Sequence, residues 1–317
     1  MVKLFHPESN KELNYDPITK GYSVDDYKFN NFESIPDLFI SDNDLITINQ
    51  SEFYNDTQFP SYDDMDDFAS LIDKASKSIF AKKLDQEIPF GSNILEAGCG
   101  TGQMSVFLSR FMRTIYSIDI SKGSLITANN FIKKNNLKNI NLFRMNIFKL
   151  FFPKNYFDVI ISNGVLHHTR NAELAFSELV KYLKKDGLII IGLYHKYGRF
   201  IHNIRQKIIN IFGEKFKFID PRFKENISIN KKESWFLDQY KNPFEKNYTI
   251  TEVLEWFKNN KIQYISSVPF DFDANEPLFK KRNINNKITL LFKEFMLLFD
   301  LQQIKEAGFF VIIGKKI

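Results

Sequence analysis

Apolar and polar positions follow two alternating periods between residues 93 and 195. Short apolar runs, such as NILEAG (93–98), TIYSIDI (114–120) and YFDVIISNG (156–164), predict buried strands. The stretches between them, such as NAELAFSELVKYLKK, repeat apolar residues every three or four positions and predict helices. Strands and helices in this order indicate parallel pairing through right-handed crossovers. We therefore predict an α/β fold with a doubly wound, Rossmann-like sheet that binds ligands at the carboxyl ends of its strands.

The same patterns divide the chain into five segments. Residues 1–60 keep no period and predict an N-terminal extension of short strands and loops, whereas residues 61–90 have helical spacing and predict a lead helix. Residues 91–195 form the predicted core, and residues 196–248 interrupt its alternation, which predicts a cap insertion. Residues 249–317 resume the core with a helix and two strands, separated by an inserted helical segment. The last two strands lack a clear crossover, so we expect a seven-stranded sheet with an antiparallel last strand.

Composition narrows the class of protein further. The chain has 317 residues and one cysteine, Cys99, which argues against a disulfide framework and a zinc site held by cysteines, so we predict no metal. The first residues, MVKLFHPESN, lack the apolar run of a signal peptide. No run reaches the roughly 18–20 uncharged apolar residues of a membrane span. We expect a cytoplasmic protein.

Charge is distributed unevenly along the chain. Residues 1–90 hold 18 acidic and 8 basic residues, whereas the other 227 residues carry a net charge of +15. A basic face that binds nucleic acid and an ordinary lysine-rich surface are both compatible with this excess.

The stretch NILEAGCGTGQMS (93–105) places glycines at 98, 100 and 102 directly after a predicted strand. A dinucleotide turn needs its third glycine where Gln103 stands, and the Gly-Lys-Ser/Thr ending of a phosphate loop is absent. Glu96 is a poor neighbour for a pyrophosphate and a good one for a cationic ligand. S-adenosylmethionine (SAM), with its sulfonium and ammonium groups, fits this turn better than a nucleotide phosphate does.

With these residues the chain resembles the class I SAM-dependent methyltransferases, in particular those with a type 11-like domain. The resemblance covers about residues 90–195 and resumes over 249–317. It implies that Asp119 grips the ribose hydroxyls, that Asn146 and Ile147 stand where the family has an acid and an apolar residue at the adenine, and that Asn163 and Gly164 lie beneath the methionyl part. The cofactor-binding residues that it implies are Glu96, Gly98, Cys99, Gly100, Thr101, Gly102, Asp119, Ile120, Asn146, Ile147, Asn163 and Gly164.

Candidate acceptor and catalytic residues follow the fourth and fifth strands. His167 and His168 come after the fourth strand and His195 ends the fifth, and an imidazole can take a proton near neutral pH. Packing or helix capping would equally explain these histidines. The predicted acceptor contacts are Tyr194, Tyr197, Trp235, Asp238 and Tyr240.

We predict a methyltransferase that acts on a small molecule, at oxygen or carbon, by in-line displacement. The cap insertion supports this prediction because it would enclose an acceptor. The alternatives are an RNA or protein methyltransferase that uses the basic face, and a SAM-binding protein without activity. The apolar helix predicted near residues 287–299 would cover the core, form a homodimer contact or lie on a membrane surface.

Overall fold

A computed structural model of the chain describes residues 2–63, 65–283, 287–299 and 308–317. Its strands are, in chain order, β1 (Asn14–Tyr15), β2 (Tyr22–Val24), β3 (Tyr27–Phe29), β4 (Asn31–Phe32), β5 (Ile35–Pro36), β6 (Asn93–Ala97), β7 (Thr114–Asp119), β8 (Ile140–Arg144), β9 (Phe157–Asn163), β10 (Leu183–Tyr194), β11 (Ile262–Val268) and β12 (Phe309–Lys316). Its α-helices are α1 (Leu45–Asp56), α2 (Phe68–Ser76), α3 (Ile79–Glu87), α4 (Gln103–Leu108), α5 (Lys122–Lys134), α6 (Ala172–Tyr182), α7 (Phe200–Phe212), α8 (Ile229–Phe236), α9 (Ile250–Asn259) and α10 (Lys287–Met296).

The central sheet has seven strands in the order β11-β12-β10-β9-β6-β7-β8. Strand β12 runs antiparallel to both of its neighbours, and the pairs from β10 to β8 are parallel. In the middle of β10, Ile190 pairs with Ile161 on one side and with Ile313 on the other. The predicted fold class, a doubly wound seven-stranded sheet with an antiparallel last strand, is confirmed.

Two apolar layers enclose the sheet, one on each face. Leu95, Ile160 and Ile191 belong to one layer, whereas their chain neighbours Ile94 and Ile161 belong to the other. Successive side chains of a strand point to opposite faces, so both faces are buried and the strands read as continuous apolar runs. This double burial fixes the carboxyl ends of the strands, where the glycine turn and the acidic residues lie.

The N-terminal part of the chain differs from the prediction in two places. The segment 61–90 contains two helices, α2 and α3, because Ser78 breaks the run and caps α3 by accepting a hydrogen bond from the Ala81 amide at 3.3 Å. The extension 1–60 contains a 12-residue helix, α1, in addition to its short strands. Its buried residues are polar (Thr47, Gln50 and Ser51), so the apolar pattern could not predict it.

The insertion between β10 and α9 forms a helical layer at the carboxyl edge of the sheet. It contains α7, two 3₁₀ turns (Glu214–Ile219 and Pro221–Lys224), α8 and one π turn (Leu237–Lys241). The segment returns to the sheet where Tyr248 bridges to His195 at the end of β10. We keep the name cap insertion for residues 196–248.

Helix α10 and a 3₁₀ turn (Leu297–Phe299) lie inside the predicted helical segment near residues 287–299. Several large apolar side chains of α10 are exposed, among them Ile288 and Phe292. Among the described residues, no helix is both long enough and apolar enough to cross a membrane.

Candidate cofactor and acceptor site

A cavity of about 700 Å³ opens at the carboxyl ends of β6, β7 and β9. The glycine turn after β6 and the ends of β7 and β9 form its floor. Residues of α1 and the following loop form a second wall, and part of the cap insertion forms a third. Most of the lining is apolar, with a few polar groups, as in typical small-molecule sites.

The glycine turn approaches its neighbours so closely that side chains would not fit. Gly98 has φ +80°, and a Cβ there would lie 2.5 Å from a methyl carbon of Val165. Gly100 has φ +51°, and a Cβ there would lie 2.5 Å from the carbonyl oxygen of Phe59. Glycine tolerates this left-handed backbone and this close packing. At these two positions, therefore, only backbone atoms line the cavity.

Asp119, at the end of β7, is held by backbone amides. Its Oδ2 accepts a hydrogen bond from the Gly100 amide at 2.8 Å, and its Oδ1 accepts one from the Ser121 amide at 2.9 Å. Burial raises the pKa of the Asp119 carboxyl, and these hydrogen bonds oppose the rise. The carboxylate lines the cavity with its position fixed from two sides.

Glu96 lies in β6, two residues before the turn, and is 6% exposed. Its Oε2 accepts a short hydrogen bond from the Ser105 hydroxyl, which also contacts the hydroxyl of Ser117. Burial raises the pKa of Glu96 to about 8, although the hydrogen bonds from Ser105 lower it. A cationic ligand beside this carboxyl would favour its charged form.

Two asparagines complete the floor of the cavity. Asn146 is 1% exposed, and its Oδ1 accepts a hydrogen bond from the Phe148 amide at 3.0 Å. Asn163, at the end of β9, has a buried Oδ1 with no hydrogen-bond partner among the described residues. An unpaired buried carbonyl costs free energy, which a ligand N–H or O–H donor would recover.

The structure brings ten of the twelve predicted cofactor residues to the cavity wall. These are Glu96, Gly98, Cys99, Gly100, Asp119, Ile120, Asn146, Ile147, Asn163 and Gly164. Thr101 and Gly102 do not line the cavity: the Thr101 hydroxyl donates to the carbonyl oxygen of Pro60 at 2.6 Å, and Gly102 is the N-cap of α4. The cofactor roles of all twelve residues stay predictions.

Residues 45–63, which we call the N-terminal cover, close one side of the cavity, and the sequence analysis missed them. The Ser121 hydroxyl donates to the carbonyl oxygen of Tyr54, and the Tyr62 hydroxyl donates to that of Thr101, both at 2.8 Å. The cover therefore contacts the residues that follow β6 and β7. Its aromatic residues were the only available signal, and they follow no period.

His168 lies on the cavity wall in a 3₁₀ turn after β9. Its Nδ1 is 2.8 Å from the carbonyl oxygen of Phe244 in the cap insertion. A carbonyl only accepts hydrogen bonds, so Nδ1 carries the proton in the neutral ring and Nε2 keeps its lone pair. The local structure thus selects the tautomer in which Nε2 can accept a proton.

The other two candidate catalytic histidines lie outside the cavity wall. His167 is fully buried, neither ring nitrogen has a partner among the described residues, and burial lowers its pKa well below the usual value. His195 is also fully buried, and its Nε2 lies 3.3 Å from Oε1 of Glu294 in α10. Both positions fit a packing role better than contact with a ligand, and the predicted catalytic role has no support from their placement.

Three of the five predicted acceptor residues line the cavity, namely Tyr194, Trp235 and Asp238. Tyr240 is 3% exposed and lies inside the cap insertion, where its hydroxyl donates to Asp220 at 2.7 Å. Tyr197 packs on Phe295 of α10, with ring centroids 6.3 Å apart. Tyr197 and Tyr240 are therefore not placed at the wall where the prediction put them.

A hydrogen-bond network links the cover, the cap insertion and the sheet at the cavity wall. The Tyr54 hydroxyl donates to Oδ1 of Asp238 at 2.8 Å, and Gln239 Nε2 donates to Oδ2 of Asp238 at 2.7 Å and to the Tyr194 hydroxyl. The guanidinium of Arg199 lies 3.5 Å from the Tyr194 ring centroid and donates to Gln239 Oε1 at 2.9 Å. Burial raises the pKa of Tyr194, so its hydroxyl stays protonated.

Residues 95–191 match the sequence profile of the family described as "Methyltransferase domain". The chain is 28% identical over 198 residues to the malonyl-[acyl-carrier protein] O-methyltransferase of Buchnera aphidicola subsp. Baizongia pistaciae, covering 62% of this chain and 76% of that relative. It is 27% identical over 152 residues to the ubiquinone biosynthesis O-methyltransferase of Pelagibacter ubique, covering 44% of this chain and 59% of that relative. The match thus spans less than two thirds of the second relative.

A solved structure of PKMT2 from Rickettsia typhi in complex with AdoHcy resembles this chain with a TM-score of 0.52 and 16% identity. The similarity covers 70% of this chain and 48% of that one, and it shows a shared fold.

Residues 95–191 carry the methyltransferase domain, which supports the predicted membership of the class I SAM-dependent methyltransferases. The match to this family supports SAM as the cofactor, in agreement with the prediction drawn from the glycine turn. The residues present fit this cofactor. The glycines of the turn admit a ligand close to the backbone, Asn163 offers an acceptor without a partner among the described residues, and Asp119 and Glu96 place two carboxyl groups at the same end of the cavity.

Proposed function

We propose that the chain methylates an oxygen atom of a small-molecule acceptor bound in the cavity beside SAM. The observation that carries this proposal is the contact between His168 Nδ1 and the Phe244 carbonyl oxygen at 2.8 Å. It leaves Nε2 as a proton acceptor on a residue of the cavity wall. A hydroxyl acceptor needs such a base, because it must lose its proton when it gains a methyl group.

At the cofactor end, we assign the binding of SAM to the turn Gly98–Gly100 and to the carboxylates of Glu96 and Asp119. Asp119 would accept hydrogen bonds from the ribose hydroxyls, and Asn163 Oδ1 would accept one from the methionyl part. Bound SAM supplies an activated methyl group on a sulfonium. The protein's own task is to hold the acceptor in line with that group, and orientation can contribute on the order of 7–11 kcal/mol.

At the acceptor end, His168 takes the proton. The acceptor oxygen gains the methyl group and its hydroxyl proton moves to Nε2, while Nδ1–H keeps its hydrogen bond to Phe244. The Tyr194 hydroxyl accepts a hydrogen bond from Gln239, so its own proton can be donated to a ligand oxygen. These two groups would hold the reacting oxygen between a base and a donor.

The enclosure of the cavity favours a small molecule over a macromolecule. The N-terminal cover and the cap insertion meet over the cavity, where Gln50 Nε2 donates to the Asn242 side chain at 2.7 Å and to the Phe244 carbonyl oxygen at 2.9 Å. Such contacts exclude water from the reacting groups. The two curated relatives described above are named as O-methyltransferases, which supports oxygen as the methylated atom.

The test uses purified protein, methyl-labelled SAM and a small-molecule extract from which protein and nucleic acid were removed. We expect label in a small molecule that mass spectrometry and resistance to mild base hydrolysis identify as a methyl ether. A methyl ester would contradict the role of His168 as base, because a carboxylate acceptor has no proton to lose. Label transferred only when RNA or protein is restored to the extract would contradict the proposal and support the alternative that uses the basic face. Label found on carbon or nitrogen would contradict the assignment to oxygen.

A further inference from the structure

We propose that the acceptor carries an anionic group, a carboxylate or a phosphate ester, and that Arg222 of the cap insertion binds it. The inference rests on the proposed function, because it concerns the acceptor of the same cavity. Arg222 lines this cavity together with Trp235, Ile227 and Lys231 of the cap insertion.

Arg222 lies on a platform formed by the half-buried ring of Trp235 and by the buried side chains of Asp220 and Tyr240. Its guanidinium lies over the Trp235 ring, 4.3 Å from the centroid. Asp220, which is 2% exposed, orients this platform: it accepts hydrogen bonds from Trp235 Nε1 at 3.2 Å, from the Tyr240 hydroxyl at 2.7 Å and from the Arg222 amide at 2.8 Å. Three donors thus occupy the Asp220 carboxylate, and they hold the Arg222 backbone and the ring beneath its guanidinium.

Among the described residues, no carboxylate forms an ion pair with the Arg222 guanidinium. The carboxylates that line the cavity already have other donors: Asp238 accepts from Tyr54 and Gln239, and Asp119 accepts from two backbone amides. Lys74 and Lys231 add positive charge to the cavity lining. The protein therefore places a half-buried guanidinium on the acceptor wall without supplying its counter-ion.

This arrangement fits an anionic ligand group. A guanidinium is planar, always charged, and donates two parallel hydrogen bonds to a carboxylate or a phosphate. Contact with the ring of Trp235 restricts the motion of the guanidinium, which lowers the entropy lost when an anion binds. Ile227 and Met65 line the cavity as apolar residues, so we expect the anionic group to be attached to an apolar stem.

A purely structural role, in which Arg222 only stacks on Trp235, is the alternative that the experiment must exclude. The probes are octanoate and octyl phosphate, with octanol as the uncharged counterpart. Binding is measured by titration calorimetry on the wild-type chain in the presence of S-adenosylhomocysteine, and again on Arg222→Gln. Lys224→Gln is the matched control, because Lys224 lies in the same 3₁₀ turn, is exposed and does not line the cavity.

We expect at least one of the two anions to bind about tenfold or more tightly than octanol, an advantage that Arg222→Gln removes and Lys224→Gln keeps. The two anionic probes distinguish a carboxylate from a phosphate ester. Equal affinity for octanol and both anions, no binding of either anion, or equal losses in the two variants would overturn the proposal.

Fluorescence gives a second readout, because the chain has two tryptophans and Trp256 is buried in the core, 5% exposed. In Trp256→Phe, an anion at Arg222 should change the emission of Trp235, and octanol should change it less. Neither measurement requires methyl transfer. A failure of the labelling experiment and a failure of anion binding are therefore distinguishable.

Discussion

The carbonyl oxygen of Phe244 lies 2.8 Å from Nδ1 of His168, and the same oxygen accepts a hydrogen bond from Gln50 at 2.9 Å. One backbone group of the cap insertion thus contacts both the N-terminal cover and the candidate base. The contact that closes the cavity also sets the tautomer of His168. Enclosure of the acceptor and preparation of the base are consequently coupled.

Replacing His168 by Ala should lower kcat about 10²–10⁴-fold, the usual contribution of a general base. The affinity for S-adenosylhomocysteine should stay unchanged. His168→Asn is the informative control, because its amide can still donate toward the Phe244 carbonyl oxygen but cannot accept the proton. We expect the thermal stability of His168→Asn to exceed that of His168→Ala while kcat stays equally low in both, measured by scanning calorimetry and label transfer. Full activity in either variant would show that His168 does not act as the base.

Replacing Asp119 by Ala should weaken binding of S-adenosylhomocysteine about 10–100-fold, since hydrogen bonds to a charged group contribute about 1.5–3 kcal/mol each. The variant also releases the Gly100 amide, which Asp119 holds at 2.8 Å. Titration calorimetry measures the affinity, and Asp186→Ala, an exposed carboxyl at the start of β10, serves as the control. Unchanged affinity in Asp119→Ala would contradict the cofactor-site assignment.

The central sheet could be predicted from the sequence because strands that are buried on both faces consist of continuous apolar runs. Helix α1 has no apolar period in its sequence, since it buries Thr47, Gln50 and Ser51 and is held by hydrogen bonds to distant segments. The loop after α1 was missed for the same reason: Pro60 and Tyr62 contact Thr101 through hydrogen bonds that no periodicity encodes.

The cofactor end of the cavity was easier to predict than the acceptor end. Glu96 lies in β6 just before the glycine turn, and Asp119 ends the adjacent parallel strand β7, so their placement follows from topology. In the cap insertion, no sheet topology determines where a side chain lies. Trp235 and Asp238 reach the wall but Tyr240 does not, because the π turn at Leu237–Lys241 changes the direction of successive side chains.

The stability of the protein should depend on pH through Glu96. Burial raises the pKa of Glu96 from 4.5 to about 8, so between these values the folded state holds a proton that the unfolded state has lost. The free energy of unfolding should therefore fall as pH rises from about 5 to about 8, by at most about 1.4 kcal/mol per pH unit. Urea denaturation of the wild type and Glu96→Gln at several pH values measures this slope. A slope that persists unchanged in Glu96→Gln would show that other groups cause it.

Cofactor affinity should respond to the same group in the opposite direction. A cationic ligand favours the charged form of Glu96, so SAM, which carries a sulfonium and an ammonium group, should bind more tightly at pH 8.5 than at pH 6.5. Glu96→Gln should lose this dependence, which calorimetric titrations at the two pH values measure. An equal pH dependence in both proteins would assign the effect to the ligand or to another residue.

The buried ion pair between Arg199 and Glu245 should be a large contributor to the cohesion of the cap insertion. Arg199 is fully buried, and its Nε and Nη2 each donate to the Glu245 carboxylate at 2.5 Å. Arg199→Met leaves that carboxylate without its partner and should cost about 3–5 kcal/mol of unfolding free energy, whereas Arg199→Met/Glu245→Met should recover most of the loss.

Because Arg199 also holds Gln239, which donates to the hydroxyl of Tyr194, kcat should stay low in the double variant even where stability returns. Urea denaturation and label transfer on the same preparations separate the two effects. Full activity in the stable double variant would mean that Arg199 serves packing alone, and equal instability of the single and double variants would mean that the guanidinium acts through contacts other than this pair.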